Sequence, residues 1–187
     1  RTARGLGKKE IFDVPVVGAI ATALGGIPVD RESGGQESFE NAVASVAATG
    51  GSTNAVLHLV AIARDFGIDF TIDDFERVSA RTPIVADMKP WGRWHANDVY
   101  AAGGVALVAR ELKRAGLLHE DARTVDGRTF GEIADSAVET PGQKVVFPIE
   151  TPLKPTGGLG ILYGNLSPEG SVVKLAGHER LLHRGPA

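Results

Sequence analysis

The chain has 187 residues, 43% hydrophobic and 23% charged, with a net charge of -3. That suffices for one domain with a sizeable core, or for two small lobes; no basic excess points to nucleic acid and no charge run points to a tail. Cysteine is absent, which excludes disulfides, thiolate nucleophiles and every cysteine-ligated metal centre.

The longest uncharged stretch, Val14 to Val29, holds two prolines and three glycines. It is shorter than the roughly 20 apolar residues of a spanning helix, so the chain reads as soluble and cytoplasmic, with no membrane span. Within it, Pro15 suits the first position of a helix. Val16, Val17, Ile20 and Leu24 follow at helical spacing, and Gly25-Gly26 supplies a stop. Ile27-Pro28-Val29 reads as a brief edge strand, where the missing proline N–H is tolerable. The polar, glycine-rich run Arg31 to Glu37 reads as a loop or linker. An alanine-rich helix is expected from Ser38 to Ala48.

Gly50-Gly51-Ser52-Thr53-Asn54 then leads straight into an apolar helical run. The glycine pair permits positive φ and close approach of another group, and Ser52, Thr53 and Asn54 are all good N-cap types. The helix should carry Val56, Leu57, Val60, Ile62 and Ala63 inward. Its exposed N–H groups form a ready anion site, so Ser52, Thr53 and Asn54 are candidate substrate or anion contacts. The plainer reading is a cap on a buried helix.

Thr71 should cap a short helix with Ile72, Phe75 and Val78 on one face and Asp74 at the capping-box position. Pro83 to Ala86 suggests a strand, and Lys89 to Trp94 a turn bearing two indoles and two cations. Asn97 or Asp98 should cap a helix ending near Gly116, with Val105, Val108 and Leu112 inward. Asp126-Gly127 marks a hairpin-like turn, and Thr129 with Glu132 a second capping box. After Pro141 the pattern turns to strands at Lys144 to Phe147, Leu159 to Tyr163, and Val172 to Leu175, with a turn at Ser167 to Gly170. Helices first and strands last give the α+β class, a helical first part followed by an antiparallel β region.

Gly50 to Leu59, Thr82 to Pro90, Ala101 to Val105 and Gly157 to Leu166, in that order, closely resemble the dihydroxy-acid dehydratase and 6-phosphogluconate dehydratase family over residues 39–187. The resemblance implies a hydro-lyase that removes water from a 2,3-dihydroxy acid to give a 2-keto acid, in branched-chain amino-acid synthesis or sugar-acid breakdown. It also implies an iron–sulfur cluster and Mg2+ in the full-length enzyme. The family's cysteine segments lie before the matched region and its serine-bearing base segment after it. This chain is therefore expected to hold no cofactor and no catalytic or metal-ligating residue, and to be inactive alone. Its expected partners are a further copy of itself or the missing remainder of the enzyme.

The front differs. Lys8 to Gly18, with Gly25 to Arg31, resembles the middle of the lysophosphatidate (1-acylglycerol-3-phosphate) acyltransferase family, which implies a phosphate-binding role for Arg31. That family needs a histidine with an aspartate five positions on. Here the fifth residue after His58, His95, His119 and His178 is Ala63, Tyr100, Thr124 and His183, so acyl transfer is unsupported. The expected organisation is residues 1–38 as an acyltransferase-like helix–strand segment, 39–140 as a helical dehydratase-like segment, and 141–187 as the β-rich start of the dehydratase C-terminal domain. A junction near residues 36–40 would make the chain a chimera, whose alternative readings are a non-catalytic fold without native substrate and a lysophospholipid acyltransferase fragment.

Three weaker constellations complete the reading. Asp73, Asp74 and Glu76 could attract a hard cation, although acids at a helix start ordinarily compensate the dipole. Trp91 and Trp94 around Arg93 could form a cation–π platform, or simply pack a lid-like turn. Gly157-Gly158-Leu159-Gly160 enters a strand rather than a helix, which argues against a nucleotide cradle.

Overall fold

The computed structural model describes residues 35–177 together with the backbone of residues 6–8 and 27–29. Leu6–Lys8 (β1) and Ile27–Val29 (β2) pair in parallel, with Leu6 opposite Ile27 and Lys8 opposite Val29. The strand expected at Ile27 is therefore present. The expected front helix, with Ile20 and Leu24, lies outside the described residues, as does Arg31.

Six helices and a hairpin follow, which is the expected α+β order. The helices are α1 Gly35–Ala48, α2 Thr53–Phe66, α3 Ile72–Arg81, α4 Ala96–Ala102, α5 Gly104–Arg114 and α6 Phe130–Asp135. Strands β3 (Leu159–Gly164) and β4 (Ser167–Lys174) are antiparallel, with Leu159 opposite Lys174 and Ile161 opposite Val172. No described helix is long and apolar enough to cross a membrane.

The core is built from Val43, Phe75, Val78, Ile84, Val85, Leu107 and Leu112, all fully buried. Ala44, Ala47 and Ala48 give α1 a smooth buried face, so other chain segments can approach it closely. One such segment is Ile84-Val85-Ala86. Val85 and Ala86 both donate to the Ala48 carbonyl at the end of α1 (2.9 and 3.0 Å). Single bridges join Ile84 to Lys154 and Ala86 to Val146. The strands expected at Pro83–Ala86 and Lys144–Phe147 are thus reduced to isolated bridges. The Gln143 side chain supplies part of the pairing instead, accepting from the Val145 and Val146 amides at 2.8 and 2.9 Å.

Local signals fared well where one turn of chain decides the outcome. Thr71 with Asp74 and Thr129 with Glu132 form complete capping boxes. Four expectations need correction. Helix α1 begins at Gly35, inside the stretch read as a linker. The helix expected up to Gly116 is broken at Gly103-Gly104, where φ is 142° and 72°, and Val105, expected inward, is 79% exposed. Its cap is His95, with Asp98 at the third helical position accepting from the His95 amide at 2.8 Å. Finally, the β3–β4 connection is Asn165-Leu166, and Ser167 to Gly170 belong to β4.

A buried carboxylate ties three segments together. Glu40 on α1 accepts from Arg77 (3.0 Å) and Arg81 (2.8 Å) of α3, and a His119 ring nitrogen lies 3.0 Å from it. Next to it, fully buried Asn41 exchanges two hydrogen bonds with the His119 backbone, at 2.9 and 2.8 Å. Burial pushes the Glu40 carboxyl up, but the His119 and Arg77 bonds and the charges of Arg77 and Arg81 outweigh this and hold it below its ordinary value. A lowered carboxyl pKa stabilises the fold above the unfolded pKa, and that contribution vanishes as pH falls through the folded one. Glu40→Gln should therefore cost about 1–3 kcal/mol at pH 7, measured by chemical unfolding, and the gap to the wild type should narrow at pH 3.

Candidate functional site at the start of α2

Helix α1 ends at Ala48, and Gly50 and Gly51 take φ of 76° and 55°, reversing the chain in two residues. Ser52 is then extended (φ -129°, ψ 141°) and caps α2, its hydroxyl accepting from the Asn54 amide at 3.3 Å. The Ser52 carbonyl takes the Ala55 amide at 2.9 Å. Ser52, Thr53 and Asn54 are all exposed at this helix start. Both the positive φ and the serine cap match expectation. The inward face does not match fully: Val56 and Ala63 are buried, but Leu57 is 68% exposed and Ile62 is also open to solvent.

The two glycines are clamped from three sides. Trp91 donates its indole N–H to the Thr49 carbonyl at 3.2 Å, and its ring fills the space that a Gly50 side chain would need. Gly158 presses on the opposite side; a Cβ there would stand 2.6 Å from the Gly50 carbonyl oxygen. Lys174, at the end of β4, donates to the Gly51 carbonyl at 2.9 Å. Burial lowers the Lys174 pKa from its ordinary value. Gly157 is equally tight, since a Cβ would lie 2.5 Å from the Ser79 carbonyl oxygen, to which its own amide donates at 2.9 Å. The glycines of 157–158 thus serve close backbone packing.

The sequence candidates Ser52, Thr53 and Asn54 stand together at this helix start; Lys174, 123 positions from Gly51, carries no local signal. Arg31 is outside the described residues. The indole platform does not form around Arg93: buried Asp87 accepts from the Arg93 amide and Nε at 2.9 and 2.5 Å. The three acids of α3 are also engaged. Asp73 takes the Tyr163 hydroxyl, Asp74 closes the Thr71 cap, and Glu76 accepts from the Ile161 amide at 3.2 Å. The Asp73 hydrogen bond pushes Tyr163 up to about 12. Among the described residues no group of three or more potential metal ligands gathers. Beside the α2 start, an apolar groove of about 620 Å³ runs between α2 and β4, lined by Val56, Leu57, Val60 and Val172 among others.

Residues 24–133 match the family model described as dihydroxy-acid/6-phosphogluconate dehydratase N-terminal. The chain belongs to this family. Residues 144–187 match the corresponding C-terminal model. The N-terminal match begins at residue 24 and runs across residues 36–40, so it gives no support to the junction expected there. The dihydroxy-acid dehydratase of Roseiflexus sp. (strain RS-1) is 60% identical over 149 residues, covering 80% of this chain and 27% of that protein. Those of a Thermus thermophilus strain and of Synechococcus sp. (strain CC9605) are 55% and 51% identical, each covering 81% of this chain and 28% of the relative. The chain thus spans about a quarter of the length of the curated relatives it matches. Gly50 and Gly51 fall in the N-terminal match, and Gly158 and Lys174 in the C-terminal one, so the clamp joins the two matched parts of this dehydratase-family chain.

Two substitutions test the geometry by unfolding free energy. Ser52→Ala removes the cap and should cost about 1 kcal/mol. Gly50→Val forces a branched side chain into positive φ and into the Trp91 ring, and should cost more than the cap.

Proposed function

We propose that this chain forms part of a dihydroxy-acid dehydratase, a hydro-lyase that takes water from a 2,3-dihydroxy acid to leave a 2-keto acid in branched-chain amino-acid biosynthesis. The observation that carries the proposal is 60% identity to a protein named for that activity. Within such an enzyme, Ser52, Thr53 and Asn54 contact the substrate or its anionic group at the α2 start, where hydroxyl and amide groups stand exposed and the helix dipole favours negative charge. The Lys174 ammonium, 2.9 Å from the Gly51 carbonyl, adds positive charge to the same corner. Arg31 remains the other anion-binding candidate.

The iron–sulfur cluster implied by the family does not fit this donor set, because the sequence contains no cysteine and thiolates are the usual cluster ligands. No step through the cluster or its Mg2+ is assigned to this chain, which is inactive alone. The missing remainder of the enzyme, or a further copy of the chain, would be its partner. Its parts would be residues 1–38, 39–140 and 141–187; the two family matches, 24–133 and 144–187, support a division before the hairpin.

The second reading, a composite chain without native substrate, rests on the acyltransferase-like texture of residues 1–38 alone; the N-terminal family match already begins at residue 24.

Purified chain, reconstituted with iron and sulfide, should remain colourless, retain no iron through gel filtration, and release no 2-keto acid from a 2,3-dihydroxy acid. Retained iron with a cluster absorbance, or turnover, contradicts the inactive-fragment reading. The anion role is tested separately: a 2,3-dihydroxy carboxylate, titrated by NMR, should shift the Thr53 and Asn54 amides, and its neutral amide analogue should not. Equal shifts, or none, remove these residues as anion contacts.

A further inference from the structure

We draw no further inference here: the strongest candidate, the apolar groove between α2 and β4 beside exposed Leu57, carries nothing because nothing in the structure shows what covers it.

Discussion

The described structure turns on a contact between two stretches of backbone. Gly158 approaches the Gly50 carbonyl so closely that a Cβ would lie 2.6 Å from that oxygen. Only bare backbone fits at such a distance. Where the two segments meet, Leu175 and Ala176 both donate to the Gly158 carbonyl, at 2.8 and 3.1 Å, and Lys174 reaches Gly51. The hairpin is thereby held at the mouth of the α1–α2 reversal.

Helix α3 completes the arrangement from the other side of β3. Ser79 donates its hydroxyl to the Leu159 carbonyl at 2.7 Å, Glu76 accepts from the Ile161 amide, and Asp73 takes the Tyr163 hydroxyl. Residues three apart on a helix lie near one face, and alternate strand residues point the same way. Three side chains of α3 therefore meet three successive like-facing residues of β3. This satisfies strand groups that an open edge would leave to another chain. The same helix holds Glu40 through Arg77 and Arg81, so one short element links the alanine-rich α1 to the hairpin. The ion pairs of half-exposed arginines contribute modestly; their value lies in neutralising a carboxylate that is itself buried.

What the sequence made legible was whatever a single turn of chain decides. The Thr71–Asp74 and Thr129–Glu132 boxes, the Ser52 cap and the positive φ of Gly50 and Gly51 all depend on neighbours within a few residues. The failures share the opposite cause. Gly103-Gly104 breaks a helix that periodicity alone would continue, at a position where a Cβ on Gly103 would stand 2.7 Å from the Val138 carbonyl oxygen. Spacing places Leu57 inward, yet it is 68% exposed. Trp91 bonds to Thr49 and Lys174 to Gly51, pairings set by the tertiary path. The family was readable because its glycine-rich blocks stand in order. The chemistry was not: the sequence contains no cysteine, and no group of three or more potential metal ligands gathers among the described residues.

The central claim is that the Gly158–Gly50 contact holds the hairpin on the α1–α2 reversal. The direct test compares the unfolding free energies of Gly158→Val and Gly164→Val. Both substitutions fall on or beside β3, but Gly164 has open space where a Cβ would stand. Gly158→Val should cost roughly 1–3 kcal/mol or more through overpacking, while Gly164→Val should be close to neutral, since β-branched residues suit strands. Equal stabilities for the two variants would contradict the account.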